Sequence, residues 1–368
     1  MLVSNVRETR PISRCGYTPI VRTVAHPNWT ECHGTYPASD AANFTLDPFS
    51  SHGRPAFLSV HSFTDQNRYS FVQNELEVRN IRVPETTLVQ EALIPGGVQV
   101  ALISGIESTP LFAKNGRLIG RFFEDPDAKY CFLGDVRPSN TQASRGDQTN
   151  DVLTAIQDAL ADADMHFQDV VRTWFYNDDI LAWYAEFNHA RTAFFQQNKI
   201  TLIPASTGIG VANLSGNALV CRVIAVHPKT SSVTVRRVVS PLQHEPSSYG
   251  SSFSRVMEVA DRAGRILYIS GTASILLNGE TAHTGDIEGQ IEKTMEVVEA
   301  ILTHNGMNLS DCTRAIAYFR NREHMPFWEK YCRNHQLQEL PVILTKCDVC
   351  RDDLLFEIEL DAWKRNQP

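Results

Sequence analysis

The sequence lacks the features of several protein classes. None of its apolar runs reaches the ~18 residues that cross a membrane, and its first residues contain no apolar core of signal-peptide length. No block of Lys and Arg is long enough to form a nucleic-acid or lipid surface, and the net charge is −8. We therefore expect a cytoplasmic protein that binds neither nucleic acid nor a membrane. A few arginines in one cleft would still bind a small anion.

Cysteine and histidine also lack the spacing of metal ligands. The eight cysteines are scattered through a long chain, which is typical of reduced and mostly buried thiols. Cys347 and Cys350 have the spacing of half a zinc site or of a redox pair, but no second cysteine pair lies at a suitable distance. No two histidines are separated by three residues. We therefore expect no metal site.

The first third of the chain gives little information about function. Residues 1–54 are rich in Pro, Ser, His and Asn and show no sustained period, which predicts irregular packed loops with one strand at most. Short apolar segments between residues 56 and 105 predict strands, with a turn at Pro95-Gly96-Gly97. No chemistry is assigned to this region.

After about residue 130 the sequence repeats itself. Two amphipathic helices are predicted from apolar residues at steps of three and four, and each is followed by an apolar strand (170–176 and 313–319). A second helix and a last strand (218–226 and 355–363) complete each copy. The apolar positions of the two first helices are Val152, Ile156, Leu160 and Ala163, and Ile287, Ile291, Met295, Val298 and Leu302.

Each copy reads as a split βαβ unit with both helices on one face of a sheet. A repeat of ~100 residues indicates duplicated domains, because solenoid units have ~20–50 residues. We therefore predict an α/β (α+β) fold with mixed sheets in two tandem domains. The first domain comprises residues 1–235, with an irregular N-terminal extension, and the second comprises residues 236–368. The duplication does not determine the oligomeric state, and both a monomer and a trimer are compatible with it.

The last strand of the second copy carries the strongest functional signal. Phe356, Ile358 and Leu360 alternate with three acidic residues, Glu357, Glu359 and Asp361. One interpretation is a solvated acidic face. The other is a general acid on a rigid strand, whose pKa is raised by burial and by like charges. The matching strand of the first copy has Val220 opposite Glu357 in the alignment and contains no acid. A single active site explains this asymmetry, so we favour a functional Glu357.

Three segments of the second copy resemble the Rid superfamily of imine deaminases. They are Tyr249–Arg255, Ser270-Gly271-Thr272 and Phe356-Glu357-Ile358-Glu359. In that superfamily such segments line a cleft between neighbouring subunits, which implies that Ser252 and Gly271 lie in a cleft here. The superfamily also has an Arg shortly after a Pro, and neither Pro204-Ala205-Ser206 nor Pro341-Val342-Ile343 contains one. This difference argues against imine deamination.

Six segments between residues 130 and 364 carry a second resemblance: 174–184, 204–210, 240–243, 249–255, 270–274 and 350–361. They more closely resemble the chorismatase family, which is related to the Rid superfamily. The resemblance implies release of pyruvate from the small molecule chorismate without a metal or cofactor. The other product would be 3-hydroxybenzoate or a dihydroxycyclohexadiene carboxylate. A deaminase or hydrolase of another small carboxylate, or a binding protein for an aromatic acid, remains an alternative.

The chemistry of this reaction assigns roles to particular residues. Glu357 would protonate the enolpyruvyl group. Arg255 and, as second choice, Arg191 would hold the substrate carboxylates, with surface ion pairs as the alternative. Thr207 and Gly208 would present a hydroxyl and backbone N–H groups to a carboxylate.

Three further residues complete the candidate set. Tyr176 and Tyr249 would donate hydrogen bonds to substrate, although Tyr176 is equally well explained as a core aromatic. Members of the family that form 3-hydroxybenzoate are similar in having a Cys seven residues before the catalytic Glu, and Cys350 has this position. The resemblance therefore favours 3-hydroxybenzoate as the product.

Overall fold

The computed structural model describes residues 20–37, 44–52, 56–64, 66–90, 96–246 and 251–366, and these form three mixed sheets with five α-helices. The first sheet has the spatial order β1-β2-β5-β3-β4 and the second the order β10-β9-β11-β8-β7-β6. The third has the order β12-β13-β14-β17-β15-β16. The elements are β1 (Ile20–Ala25), β2 (Thr30–Pro37), β3 (Ala56–Thr64), α1 (Gln66–Val78), β4 (Glu85–Val89), β5 (Gly97–Ser104), β6 (Thr109–Phe112), β7 (Leu118–Glu124), β8 (Ala128–Val136), α2 (Arg145–Ala161), β9 (Val170–Asn177), α3 (Ile180–Gln197), β10 (Ala205–Gly210), β11 (Leu219–Pro228), β12 (Thr234–Val238), β13 (Val256–Ala260), β14 (Gly264–Ala273), α4 (Ile287–His304), β15 (Cys312–Phe319), α5 (Met325–His335), β16 (Val342–Lys346) and β17 (Phe356–Arg365).

All three sheets share one pairing pattern. In each sheet a helix connects two parallel strands, which are β3 and β4, β9 and β10, or β15 and β16. The first strand of each parallel pair is antiparallel to a later strand, β5, β11 or β17. The predicted α/β fold with two split βαβ units is confirmed, and the chain has a third unit of the same topology at its N-terminal end.

This third unit differs from the expectation for residues 1–54, which were predicted to be mostly irregular. Within that range β1 and β2 form a complete antiparallel pair. Their polar side chains mask the strand period because they have partners inside the protein. The Thr23 hydroxyl lies 3.4 Å from the Cys32 thiol, and the buried Glu31 carboxylate lies 3.2 Å from Nε2 of His33.

The helices cover the outer faces of the sheets, and the inner faces meet at the centre of the molecule. Apolar residues of β17 such as Ile358 pack under α4 and α5, as the helix stripes predicted. On the inner side Phe63, Tyr176 and Tyr318 come from β3, β9 and β15, the equivalent strands of the three sheets. The ring centroid of Phe63 lies 6.1 Å from that of Tyr176 and 6.2 Å from that of Tyr318. The units are therefore related by an approximate threefold arrangement.

Strand register confirms the alignment of the two predicted copies. Val220 of β11 lies opposite Tyr176, and Glu357 of β17 lies opposite Tyr318. Glu357 and Val220 thus occupy equivalent positions in two sheets. The predicted domain boundary at 235/236 falls inside β12, and the division into two domains stays a prediction.

Each pair of sheets meets along a junction with its own backbone contacts. At the junction of the first and second sheets the Asp135 amide donates to the Thr86 hydroxyl at 3.0 Å. At the junction of the second and third sheets the Gly271 amide donates to the Thr207 hydroxyl at 2.9 Å. The third and first sheets meet where the Gly96 amide donates to the Leu344 carbonyl at 2.8 Å. The middle junction contains the candidate site.

Two general expectations concern cysteines and membranes. The seven cysteines within the described ranges are all unpaired, and five of them are buried, as expected for reduced thiols. None of the helices in the described part of the chain combines the length and apolarity needed to cross a bilayer.

Candidate active site

A cavity of about 520 Å³ lies at the junction of the second and third sheets. Helix α3 and strand β10 form one side, and β14, the segment before β13, the loop before β17 and the start of β17 form the other. The cavity brings together six residues that the sequence predicted as site residues: Arg191, Gly208, Arg255, Gly271, Cys350 and Glu357. These residues come from two units of the fold, the one that contains the second sheet and the one that contains the third, so the cavity requires both.

Glu357 is buried, with 5% of its surface exposed. It shares the inner face of β17 with Glu359 and Asp361, which are also buried, so the interpretation of a solvated acidic face is wrong. Gly271 of β14 leaves the space that the Glu357 carboxyl occupies. A Cβ atom at position 271 would lie 2.0 Å from Oε1 of Glu357.

The surroundings of Glu357 favour its neutral form. Burial raises the pKa of Glu357 to about 8, and the charge of Glu359 adds to the rise. Arg255 and Arg172 oppose it. At neutral pH this side chain therefore carries a proton, and it faces a cavity large enough for a small ligand. This is the state that a general acid requires.

Glu359 has the opposite environment. Its carboxylate accepts hydrogen bonds from Arg172, from Arg314 at 2.9 Å, from the Thr207 hydroxyl at 2.6 Å and from the indole N–H of Trp174. Burial by itself would raise the pKa of Glu359, but Arg314 and Arg172 outweigh it and lower the pKa below its ordinary value. Glu359 is therefore an ionised carboxylate in a buried network.

Arg191 lies on α3 and is 2% exposed. Its guanidinium lies over the rings of Phe187 and Phe253, at 4.8 and 6.0 Å from the centroids, and donates to Oδ1 of Asn188 at 2.7 Å. Its Nε has no hydrogen-bond partner, and within the described ranges no carboxylate forms an ion pair with it. Burial lowers the pKa of Arg191. A buried cation next to a cavity is suited to bind an anionic ligand.

Arg255 precedes β13 and lies on the other side of the cavity. It is 3% exposed, its Nε donates to the His244 carbonyl at 3.3 Å, and its guanidinium lies 5.5 Å from the Phe253 ring centroid. The interpretation of Arg255 and Arg191 as exposed surface ion pairs is thus excluded by their burial. The Phe253 ring centroid thus lies within 6.0 Å of both guanidinium groups.

Cys350 lies in the loop before β17 and lines the same cavity as Glu357. Burial raises the pKa of the Cys350 thiol to about 12, and the nearby Glu357 adds to the rise. The thiol is therefore protonated and is a poor nucleophile. Its contribution to the cavity is its volume and its low polarity.

Three of the predicted residues that the structure describes do not line the cavity. Thr207 belongs to the network around Glu359, where its hydroxyl also accepts from Arg172 at 2.7 Å. Tyr176 is buried at the centre of the molecule, 5.0 Å from the ring centroid of His61, which agrees with the core-aromatic alternative. The Ser252 hydroxyl lies 2.7 Å from that of Thr192 beside the cavity. Tyr249 lies outside the described residues.

The sequence did not predict the role of Arg172. Arg172 lies on β9 in an apolar segment and is fully buried. It forms an ion pair with Glu359 of the third sheet. A charged residue inside an apolar strand was the available signal. Within the described part of the chain no group of three or more His, Cys, Asp or Glu residues could hold a metal ion.

Comparison with known proteins finds similarity between this chain and two enzymes of Streptomyces hygroscopicus. A 3-hydroxybenzoate synthase is 29% identical over 221 residues, which cover 52% of this chain and 63% of that protein. A chorismatase is 28% identical over 211 residues, which cover 52% of this chain and 60% of that protein. The chain thus spans less than two thirds of the length of either relative.

Two further matches concern the fold. The model of the family described as Endoribonuclease L-PSP matches residues 136–227. A crystal structure of chorismatase covers 95% of this chain and 100% of its own, with a TM-score of 0.64 and 18% identity. The resemblance to the chorismatase family, and through the Endoribonuclease L-PSP match to the Rid superfamily, is therefore confirmed.

Proposed function

We propose that this protein cleaves the enolpyruvyl ether of chorismate by general acid catalysis and releases pyruvate. The observation that carries the proposal is the buried Glu357, whose pKa of about 8 keeps it protonated beside a cavity with two buried arginines. The names of the two similar enzymes, 3-hydroxybenzoate synthase and chorismatase, support the same reaction.

Glu357 would donate its proton to the methylene carbon of the enolpyruvyl group. The carbon that carries the ether oxygen then becomes an oxocarbenium ion, and the new Glu357 carboxylate stabilises this charge. The cleft excludes most solvent from Glu357, so the cation and the carboxylate interact strongly. The ether bond breaks, and its three-carbon side chain leaves as pyruvate.

Arg191 and Arg255 would hold the two carboxylates of chorismate. Arg191 lies on helix α3 and Arg255 lies in the segment before β13, so two different units of the fold supply them to the cavity. Two fixed cations orient a dianion more precisely than one, and charged hydrogen bonds of this kind contribute about 1.5–3 kcal/mol each. Gly208, where added side-chain atoms would meet open space, leaves room for the ligand between them.

We further propose 3-hydroxybenzoate as the aromatic product. Two reactions compete after protonation: water attacks the enolpyruvyl carbon, or the neighbouring ring hydroxyl displaces the ether oxygen. The second route uses no water, since chorismate has the same atoms as pyruvic acid plus 3-hydroxybenzoic acid. Cys350 supports it because a half-buried, neutral thiol in the cavity wall takes up space and offers water only weak hydrogen bonds.

The function is tested by Glu357→Gln. We expect the variant to fold normally and to lose pyruvate release by about 100- to 10,000-fold, because the amide cannot supply the proton. Pyruvate and aromatic products are measured by chromatography after incubation with chorismate. Glu107→Gln, at an exposed glutamate, is the matched control and should behave like the wild type. If the wild-type protein binds chorismate without cleaving it, the proposed catalytic activity is refuted and the alternative of a binding protein is supported.

The product is tested by Cys350→Ala. We expect the wild type to form mainly 3-hydroxybenzoate, and the smaller side chain to admit water and shift product towards the dihydroxycyclohexadiene carboxylate. The ratio of the two products from each protein is the measurement. An unchanged ratio would show that the thiol is only a packing residue.

A further inference from the structure

Glu357 and Glu359 are two carboxyl groups on the same face of one strand. Residues two apart on a strand lie about 6.5 Å apart, and both side chains are buried. Two carboxylates at neighbouring inward positions of a buried strand repel each other, so their surroundings decide which of them keeps its proton.

The hydrogen bonds around the pair favour a state in which Glu359 is ionised and Glu357 keeps its proton. Arg172, Arg314, Trp174 and Thr207 all donate to its two oxygens. Among the described residues, none donates a hydrogen bond to Glu357. The guanidinium groups of Arg172 and Arg314 also lie 4.5 and 4.9 Å from the ring centroid of Trp174, which fixes them around the same carboxylate.

The network reaches all three sheets. Arg172 comes from the second sheet, and Arg314 and Glu359 come from the third. Gln99 of the first sheet accepts from Arg314 at 3.1 Å and donates to the Ala315 carbonyl at 2.9 Å. Arg314 also pairs with Asp361 at 2.5 Å. Gln99 and Asp361 therefore fix the orientation of Arg314, and Arg314 in turn fixes that of Glu359.

We propose that Glu359 is a positioning residue whose buried negative charge, held by Arg172 and Arg314, keeps the neighbouring Glu357 protonated and ready to donate. This inference rests on the proposed function for its catalytic meaning, but the coupling between the two carboxyl groups can be measured without any substrate. The raised pKa of Glu357, to which Glu359 contributes, agrees with it.

The charged and titratable groups around Glu357 come from β17, the loop before it, the segment before β13, β9, β15 and α3. Within the described part of the chain, Glu359 is the only carboxylate among these groups. Glu359 raises the pKa of Glu357, and the nearby arginines lower it. The groups are Glu359 on β17, Cys347, Cys350 and Arg351 in the preceding loop, Arg255 before β13, Arg172 on β9, Tyr318 on β15, and Tyr184, His189 and Arg191 on α3. Strands β10 and β14 present the uncharged Thr207, Gly208 and Gly271.

Two substitutions with opposite expected effects provide the test. Glu359→Gln removes the negative charge, so the Glu357 carboxyl should titrate at least about one pH unit lower than in the wild type. Arg172→Gln removes an opposing cation while Arg314 still holds Glu359, so the midpoint should rise. The probe is the side-chain carboxyl signal of ¹³C-labelled glutamate in substrate-free protein, assigned with Glu357→Gln. Circular dichroism and thermal unfolding establish that each variant is folded.

The result that would overturn the proposal is a folded Glu359→Gln variant with an unchanged midpoint. If that variant does not fold, an Arg172→Gln midpoint that fails to rise, or a wild-type midpoint near the ordinary value of a glutamate, overturns it equally. A purely structural role for Glu359 would lower stability without moving the titration. Shifts of the expected sign in a protein that does not cleave chorismate would refute the proposed function and leave the coupling standing.

Discussion

At the scale of single residues, the site depends on a pair of positions that differ between two sheets. In the third sheet Glu357 enters the space that Gly271 leaves open. In the second sheet the equivalent positions are Val220 and Asp135, as the matching amide-to-threonine bonds of Asp135 and Gly271 show. The Glu357 carboxyl on β17 therefore fits in its position only because Gly271, its neighbour on β14, has no side chain.

Gly271→Ala tests this pairing. The new Cβ would meet Oε1 of Glu357 at 2.0 Å, so the carboxyl must rotate out of its position. Displacements of about 1 Å at a reacting group cost about 100-fold in rate, and we expect a loss of that order in kcat with a smaller change in KM. Steady-state kinetics provide the measurement.

The control for this prediction is Gly208→Ala on the facing strand. No atom lies within 4 Å of its added Cβ, so we expect unchanged thermal stability. Wild-type kcat in Gly271→Ala would mean that Glu357 can act from another position.

At the scale of secondary structure, α4 and β17 were predicted correctly, and the reason is their period. The apolar stripe of α4 and the alternation of β17 both follow from burial on one side, which leaves a periodic pattern in the sequence. The inner face of β17 was harder to interpret. Alternating acids have the same pattern whether they face water or a second sheet, and only the position of Arg172 and Arg314 around Glu359 distinguishes the two.

Other elements left no readable pattern. Strands β1 and β2 and the turn between them carry polar residues with distant partners, such as His26 of the turn with Asp261 at 2.8 Å. Long-range pairs of this kind have no signature in local sequence. The same limit applies to Tyr176, because an aromatic residue that points to the molecular centre and one that points to a cavity look alike in sequence.

Helix α3 carries a prediction about stability as well as binding. Arg191 is buried without a described carboxylate partner, and its Nε lacks a hydrogen bond. Such a charge costs folding free energy, and replacing it by an apolar side chain of similar length relieves that cost. We therefore expect Arg191→Met to leave the free energy of unfolding unchanged or raise it by up to about 2 kcal/mol.

The same variant should bind substrate poorly. Loss of one charged hydrogen-bonding group should raise KM by about 10-fold or more. Denaturant unfolding and steady-state kinetics on the same preparation separate the two effects. A large loss of stability with unchanged KM would show that Arg191 only supports packing.

At the scale of the whole molecule, the three sheets form three junctions. Among the described residues, side chains pack into two of these junctions, and the third contains the cavity with Glu357. The junction of the first and second sheets contains Asp135, which pairs with Arg117 at 2.6 Å and with Arg137 at 2.5 Å. At the junction of the third and first sheets the apolar Ile343 packs at Gly97. The cavity with Glu357 lies in the junction between the second and third sheets.

This arrangement bears on the choice between a monomer and a trimer. Each sheet already uses its inner face and both adjoining junctions within one chain, so a ring of three units is complete without a second copy. The site likewise draws its residues from the second and third sheets of the same chain. We therefore predict a monomer of 41.3 kDa. Sedimentation equilibrium at several concentrations measures the mass, and activity per chain should not depend on concentration because no second copy completes the site. A stable trimer whose dilution abolishes activity would contradict this prediction and would place a further contact at the cavity.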